Sequence, residues 1–261
     1  QMMICNVSDF SGCSWETYNT SKSWTLSSGD GTKTVYIQFN DMAGNTSASY
    51  SDTVSLDTQI PTGSISINND ASYTTSSNVN LTISGSDVGS GLSQMMVCSS
   101  SDFSGCAWES YSTTKSWALG SEDGTKTVYV KFNDLAGNVS VSYNDSIILD
   151  TQGPSGSIVM NSGNPATSNS NATITIASQD IGSGISQMIV CNASDFSGCS
   201  WEPYSTSKSW TLLGTDGVKT VYVKFEDNAG NESPVYSDVI TLDTQPPSGS
   251  ILINSGDSET S

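Results

Sequence analysis

The feature that most constrains this chain is an internal repeat. A segment that starts Cys-x₇-Cys and ends Trp-Glu occurs at Cys5–Glu16, Cys98–Glu109 and Cys191–Glu202. Successive copies are separated by a constant 93 residues, with no insertion or deletion between them. Self-similarity at a fixed period indicates an array of one small domain.

The repeat also predicts the domain boundaries. Counted from a recurring Gln-x-Pro-x-Gly-Ser-Ile sequence, complete copies occupy residues 59–151 and 152–244. Residues 1–58 then correspond to the latter part of a preceding copy, and residues 245–261 to the first strand of a following one. No signal peptide, long apolar span or lipidation motif occurs, so we expect the sequence to be an excerpt of a longer array or a processed chain.

Apolar residues alternate with polar ones along each copy, and no helical periodicity appears. In the second copy this pattern predicts strands at 63–67, 79–83, 92–98, 116–119, 127–132 and 147–149. About seven short strands separated by turn signals favour an all-β, two-sheet antiparallel sandwich. The predicted core positions are Ile65, Leu81, Ile83, Trp117, Leu119, Val128, Val130, Phe132, Ile147 and Leu149.

The charge balance restricts the partners. The chain has 8 basic and 26 acidic residues, a net charge of −18, and neither arginine nor histidine. Such a surface repels phosphate backbones, which argues against nucleic-acid binding. It also disfavours anionic membrane surfaces, and we expect no membrane insertion. An excess of carboxylates suits a cation-rich medium in which bound Ca²⁺ neutralises it.

The six cysteines form three identical pairs: Cys5 with Cys13, Cys98 with Cys106, and Cys191 with Cys199. A regular, even set of cysteines in small Ser/Thr-rich domains predicts disulfides and an extracellular compartment. We expect each bridge to staple a hairpin of the third and fourth strands, at the end opposite the incoming linker. Zinc is excluded because each domain has only two thiolates and no histidine, and a redox role is the remaining alternative.

A family resemblance accompanies these patterns. The run Asp-Gly-Thr-Lys-Thr-Val-Tyr-Val-Lys-Phe-Asn-Asp-x-Ala-Gly-Asn, at 123–138, precedes Leu-Asp-Thr-Gln-x-Pro-x-Gly-Ser-Ile at 149–158. Together they resemble the bacterial and archaeal immunoglobulin-like tandem repeats of large extracellular surface proteins, of the adhesin-stalk type. The resemblance covers nearly the whole chain except the cysteine loop. It implies tandem immunoglobulin-like sandwiches arranged as a rod, on or outside the cell surface.

Such a sandwich predicts two carboxylate clusters, because its incoming linker meets two of its loops at one end. The clusters consist of Asp57, Asp87 and Asp134, and of Asp150, Asp180 and Asp227. With carbonyl oxygens nearby, of Asn138 and Asn231 among others, they would supply the oxygen ligands that Ca²⁺ prefers and stiffen the junctions. The alternative is that each aspartate only makes hydrogen bonds within its own turn.

Each copy also has two tryptophans: Trp15 and Trp24, Trp108 and Trp117, and Trp201 and Trp210. Trp117 alternates with serine in strand register, which predicts a core position. Trp108 and Trp201 are predicted to be more exposed. Exposed tryptophans stack on sugar rings, so a carbohydrate-binding or spacer repeat of a secreted polysaccharide-active protein is the alternative function.

Possible N-glycosylation sequons are frequent, as expected by chance in a chain so rich in serine and threonine. They begin at Asn6, Asn19, Asn45, Asn80, Asn138, Asn144, Asn171, Asn192 and Asn231. They agree with a surface protein, but a glycan on Asn138 or Asn231 would conflict with a ligand role there.

No combination of residues indicates catalysis, because histidine-based nucleophile activation and arginine clamps are both missing. We therefore expect a non-enzymatic, structural protein: a segment of a long extracellular adhesin stalk or filament. Its expected partners are neighbouring repeats of the same chain and, in a filament, other copies. A donor strand from residues 245–261 is one variant of such polymerisation.

Overall fold

The structure is a computed structural model that describes residues 1–256, 258 and 259. Strands account for its regular structure, apart from short 3₁₀ turns at Asn161–Gly163 and Asn254–Gly256. The chain is all-β and consists of immunoglobulin-like antiparallel sandwiches. Among the described residues, none forms a helix that is long and apolar enough to cross a membrane.

The strands follow the 93-residue repeat. The first copy contains β1 (Met2–Cys5), β2 (Gly31–Phe39) and β3 (Tyr50–Leu56). The second contains β4 (Thr62–Ile67), β5 (Tyr73–Thr74), β6 (Asn78–Ser86), β7 (Leu92–Cys98), β8 (Glu109–Ser110), β9 (Thr114–Ala118), β10 (Gly124–Asp134) and β11 (Tyr143–Leu149). The third contains β12 (Ser155–Met160), β13 (Ala166–Thr167), β14 (Asn171–Gln179), β15 (Ile185–Cys191), β16 (Glu202–Pro203), β17 (Ser207–Thr211), β18 (Gly217–Asp227) and β19 (Tyr236–Leu242).

The chain divides into two compact units. The first comprises residues 1–72, 78–120 and 125–147, and the second comprises residues 73–77, 121–124 and 148–261. Each of the two predicted carboxylate clusters falls within a single unit.

The third copy shows the sandwich completely. One sheet has the order β12-β14-β17 and the other the order β13-β19-β18-β15-β16. Neighbouring strands are antiparallel, except that β13 runs parallel to β19. Alternate residues of both sheets point inward, as the pleat requires. Their core consists of Ile158, Met160, Ala172, Ile174, Ile176, Met188, Val190, Leu212, Val221, Val223, Phe225, Ile240 and Leu242.

Most of the predicted core of the second copy is buried. Its buried members are Ile65, Leu81, Ile83, Val128, Val130, Phe132, Ile147 and Leu149. Trp117 and Leu119 are only half-buried and pack against the rim of this core. The predicted core position was wrong for these two residues, because Trp117 lies on the edge strand β9 and Leu119 follows the last residue of that strand.

The predicted hairpin of the third and fourth strands is also wrong. Strand β7 pairs with β10 and with the short strand β8, whereas β9 pairs with β6 in the other sheet. Alternation alone predicts that a segment is a strand, but it does not identify the partner strand.

The described part of residues 245–261 does not form the predicted first strand, and residues 257, 260 and 261 lie outside the described residues. No strand occurs in the described residues after Leu242, and Ile251, Leu252 and Ile253 are exposed. In the complete copies the first strand pairs with the second one, β4 with β6 and β12 with β14. No strand in the described residues after Leu242 pairs with Ile251, Leu252 and Ile253, so these side chains join no sheet.

Candidate metal centre

The linker between copies delivers one carboxylate to each predicted cluster. Asp57 directly follows β3 and Asp150 directly follows β11. Their exposed fractions are 7% and 1%, so both side chains are buried although they belong to a linker. The backbone N–H of Asp150 donates to the carbonyl of Thr74, which continues the pairing of β11 with β5 by one residue.

A glycine-rich loop supplies the second carboxylate. Asp87 Oδ2 accepts hydrogen bonds from the backbone N–H groups of Gly89 (3.1 Å) and Gly91 (2.7 Å), and this closes the loop. Ser90 N–H then donates to Asp57 Oδ2 at 2.6 Å. In the third copy Ser183 N–H donates to Asp150 Oδ2 at 2.7 Å. The loop therefore binds the incoming linker through its backbone.

Gly89 is required by this approach. A Cβ atom there would lie 2.3 Å from the Asp57 carboxylate, and one at Gly182 would lie 2.3 Å from that of Asp150. Real Cβ atoms do not come so close to other heavy atoms. Both glycines thus make room for the linker carboxylate.

The third carboxylate ends the longest strand. Asp134 Oδ1 accepts the N–H of Asn138, and its Oδ2 accepts the side-chain Nδ2, both at 2.8 Å. The same Nδ2 donates to the carbonyl of Asp57 at 3.1 Å. Asn231 makes the equivalent contacts with Asp227 and with the carbonyl of Asp150. One asparagine side chain thus connects the linker to the turn that follows the strand.

These contacts bring three carboxylates together twice. One oxygen from each of Asp57, Asp87 and Asp134 lies within 4.8 Å of the others, and Asp150, Asp180 and Asp227 form the same arrangement. The ion pairs among the described residues use other carboxylates, namely Glu16, Glu109, Glu202 and Glu232. Each cluster therefore concentrates negative charge in a largely buried place without a lysine partner.

The clusters fit a hard cation. Oxygen ligands lie 2.3–2.6 Å from Ca²⁺, so ligands on opposite sides of one ion are about 5 Å apart, close to the spacing of each cluster. Asp87 Oδ1 is buried and accepts no hydrogen bond from the described residues. Hydrogen bonding from Ser90 lowers the pKa of Asp57, which keeps this carboxylate ionised at neutral pH.

Asn138 and Asn231 were predicted to offer carbonyl oxygens as Ca²⁺ ligands, but their side chains have a different role. At Asn138 and Asn231 the amide nitrogen faces the carboxylates, so these groups act as hydrogen-bond donors there. The sequon serines Ser140 and Ser233 are buried, and their hydroxyls each bond the backbone of the same turn. A glycan on either asparagine would replace one of the two Nδ2 hydrogens that bind the aspartate and the linker carbonyl, so glycosylation would compete with one of these turn contacts.

The other predicted sequons are more accessible. Asn6 is half-buried, and its Oδ1 accepts the indole N–H of Trp24. The exposed sequon asparagines are Asn19, Asn45, Asn80, Asn144, Asn171 and Asn192.

The cysteines form the three predicted local disulfides, with Cα–Cα distances of 5.9 Å. Each closes the loop after a strand rather than bridging two strands, since Cys106 lies in the connection from β7 to β8. Cys98 pairs with Tyr129 and Leu92 with Asp134 in the β7–β10 register. The disulfide therefore lies at the opposite end of β7 from the carboxylate cluster, as predicted.

The two tryptophans that were predicted to be more exposed are partly covered. Trp108 and Trp201 are both half-buried. Trp108 packs on the cluster of Met96, Cys98 and Phe103, and Lys131 Nζ lies 5.4 Å from its ring centroid. A sugar that stacked on this ring would compete with that lysine.

The sequence pattern predicts the aspartates of each cluster but not the residues that hold the linker aspartate in position. Gly89, Ser90 and their counterparts looked like ordinary turn residues. Their repetition in register with the aspartates, as Asp-x-Gly-Ser-Gly at 87–91 and 180–184, was the available signal.

Comparison with known proteins finds similarity only among solved structures. No protein-family model and no curated protein matches the chain. Among solved structures, it is similar to the fibronectin(III)-like modules of Clostridium thermocellum CbhA, with 14% identity, a TM-score of 0.38, and coverage of 68% of this chain and 93% of that one. It is also similar to a tetra-tandem repeat in the extending region of a large adhesion protein, with 20% identity, a TM-score of 0.28, and coverage of 82% of this chain and 57% of that one. The chain thus spans little more than half of that repeat structure, and neither likeness bears on what it binds.

Proposed function

We propose that the chain is a non-catalytic segment of an extracellular stalk, of the kind that holds an adhesive region away from a cell surface. Three features support the proposal: strand-only tandem repeats, a disulfide in each copy, and linkers of a few residues. Disulfides persist in oxidising, extracytoplasmic compartments. Short linkers with nearest-neighbour contacts make such arrays behave as quasi-one-dimensional structures.

The observation that carries the proposal is the insertion of the linker aspartate into the following copy. Asp57 and Asp150 are held by a backbone N–H of the next copy's loop and by an asparagine of its next turn. A linker with its carboxylate and carbonyl both bound loses most of the freedom that a flexible spacer has. A stalk needs this property, because free linkers would let the array fold back on itself.

We further propose that the two clusters bind Ca²⁺. A divalent cation would neutralise most of the charge of three ionised carboxylates and would supply a partner for Asp87 Oδ1. Because one ligand comes from the linker and two come from the loops of the following copy, the ion would add its binding energy to the junction. A chain with net charge −18 suits a calcium-rich external medium.

Limited proteolysis of the intact chain with a broad-specificity protease tests this role. We expect Ca²⁺ to slow cleavage at residues 57–61 and 150–154 relative to chelator, because cleavage needs local opening of the linker. An Asp87→Ala, Asp180→Ala variant lacks one ligand of each cluster; it is the matched control and should lose this protection. Equal cleavage rates in Ca²⁺ and in chelator for the unmodified chain would contradict the proposal.

A further inference from the structure

A second set of aspartates holds each linker from its other side. Asp123 accepts the N–H (3.2 Å) and the hydroxyl (3.0 Å) of Thr151 and the side-chain amide of Gln152 (3.4 Å). Asp30 makes the same three contacts with Thr58 and Gln59, at 3.1, 2.9 and 3.3 Å. Asp216 binds the N–H and hydroxyl of Thr244 in the same way.

The strand register explains why these aspartates reach the linker. Gly31 is the first residue of β2 and pairs with Leu56, the last residue of β3. Asp30, just before β2, therefore lies beside the residues that follow β3. Gly31 and Gly124 have φ values of 108° and 117°, a conformation that glycine adopts without strain, and this turns the preceding aspartate toward the linker.

The two sets of contacts meet on one short segment. Thr151 directly follows Asp150, and Gln152 N–H donates to Asp150 Oδ1 at 3.2 Å. The three residues are thus bound by Asp123 on one side and by Ser183 and Asn231 on the other. Fixing Thr151 and Gln152 restricts the backbone that aims the Asp150 carboxylate at its cluster.

We infer that Asp30 and Asp123 are positioning residues for the cation sites, an inference that rests on the proposed function. Neither belongs to a carboxylate cluster. Each acts by holding the linker in the conformation that brings Asp57 or Asp150 to the ion. Residues that orient metal ligands typically contribute about 10–100-fold to metal affinity. By thermodynamic linkage, the bound ion also strengthens the contacts of Asp30 and Asp123 with the linker.

The test isolates one site at a time in the whole chain. Asp87→Ala removes a ligand of the first cluster and leaves the second cluster, so calorimetric titration with CaCl₂ reports the second site alone. In this background we expect Asp123→Ala to raise the Ca²⁺ dissociation constant about tenfold. Asp216→Ala is the matched control, because its linker leads to no carboxylate cluster in the described residues. It should leave the constant unchanged.

A further variant separates positioning from the loss of a negative charge. Asp123→Asn keeps one acceptor oxygen for Thr151 but loses the charge, so a positioning role predicts a smaller effect than that of Asp123→Ala. Hydrogen exchange of the Gln152 amide should become faster in Asp123→Ala, and near-ultraviolet circular dichroism confirms the fold.

If Asp123→Ala and Asp123→Asn weaken Ca²⁺ binding equally, or if neither weakens it, the inference is overturned while the cation site stands. Absence of Ca²⁺ binding in the Asp87→Ala background would instead refute the site itself, and the inference with it.

Discussion

The second tryptophan of each copy, at positions 24, 117 and 210, does not have the same hydrogen bonding in all three copies. The indole N–H of Trp24 donates to Asn6 Oδ1 at 2.8 Å, and that of Trp210 donates to Asn192 Oδ1 at 2.9 Å. The second copy has Ser99 at the corresponding position, and Trp117 Nε1 is buried without a partner in the described residues. A buried donor without an acceptor keeps its desolvation cost.

Ser99→Asn is therefore expected to stabilise the second copy by about 1 kcal/mol, the usual net value of one hydrogen bond. Native-state hydrogen exchange of the β6 and β9 amides measures this locally, since these strands carry and flank Trp117. The reverse change, Asn192→Ser, should destabilise the third copy by a similar amount. Unchanged exchange in both variants would contradict the interpretation.

The sequence predicts which aspartates form the carboxylate clusters, but not how closely the linker approaches Gly89. Once a sandwich topology is assumed, the positions of Asp57, Asp87 and Asp134 at strand ends are enough to predict that they meet. The 2.3 Å approach of the linker carboxylate to a Cβ position at Gly89 was not predictable. It depends on the path of the linker backbone, and that path is set by contacts with Ser90 and Asn138 that alternation and spacing do not encode.

The cysteine loop is fixed by more than its disulfide. Phe103 has φ of 57°, a left-handed conformation that is unfavourable for a bulky residue, and Phe10 and Phe196 share it. The ring of Phe103 is buried against Met96 and Cys98 and meets Tyr129 edge-on. Burial of the aromatic ring compensates for the local backbone conformation.

Asp102 contributes to this loop through hydrogen bonds that require the ionised carboxylate. The Ser100 hydroxyl (2.6 Å) and the Ser104 N–H (2.9 Å) donate to its Oδ1 and lower its pKa from 3.8 to about 2. In the third copy Ala193 replaces Ser100. The pKa of Asp195 is lowered by the N–H of Ser197, without that hydroxyl.

A carboxyl group whose pKa is lower in the folded state than in the unfolded state stabilises the fold at pH values above its unfolded-state pKa. This contribution is lost as the pH falls through the folded-state pKa. Asp102 should therefore stabilise the second copy above about pH 4, and this contribution should disappear toward about pH 2. Denaturant unfolding at pH values between these limits should show a weaker pH dependence for Asp102→Asn. The matched variant Asp195→Asn should change the pH dependence less, and an equal change would contradict the role of Ser100.

Strand pairing marks the limit of prediction for the elements. Period-2 alternation located β4, β6, β7, β10 and β11 within a few residues. It missed β5 and β8, which have two residues each and no room for a pattern. It also assigned β9 to the wrong sheet, because sequence neighbours pair only as a tendency, and here the cysteine loop separates β7 from β9.

At the scale of the whole chain, the linkers between copies are the segments where contacts from two copies meet. The linkers at 57–59 and 150–152 each present their threonine to an aspartate of the preceding turn and their aspartate to the loops of the following copy. The cysteine loops lie away from these contacts, although they mark the repeat most clearly in the sequence. The central claim is that a cation completes each linker site and couples one copy to the next.

Calorimetric titration of the metal-free chain with CaCl₂ tests this claim most directly. The account predicts two bound ions per chain, one for each cluster. It predicts one ion for Asp87→Ala, one for Asp180→Ala, and none for the double variant. Binding that is absent from the unmodified chain, or that persists unchanged in the double variant, would contradict the account.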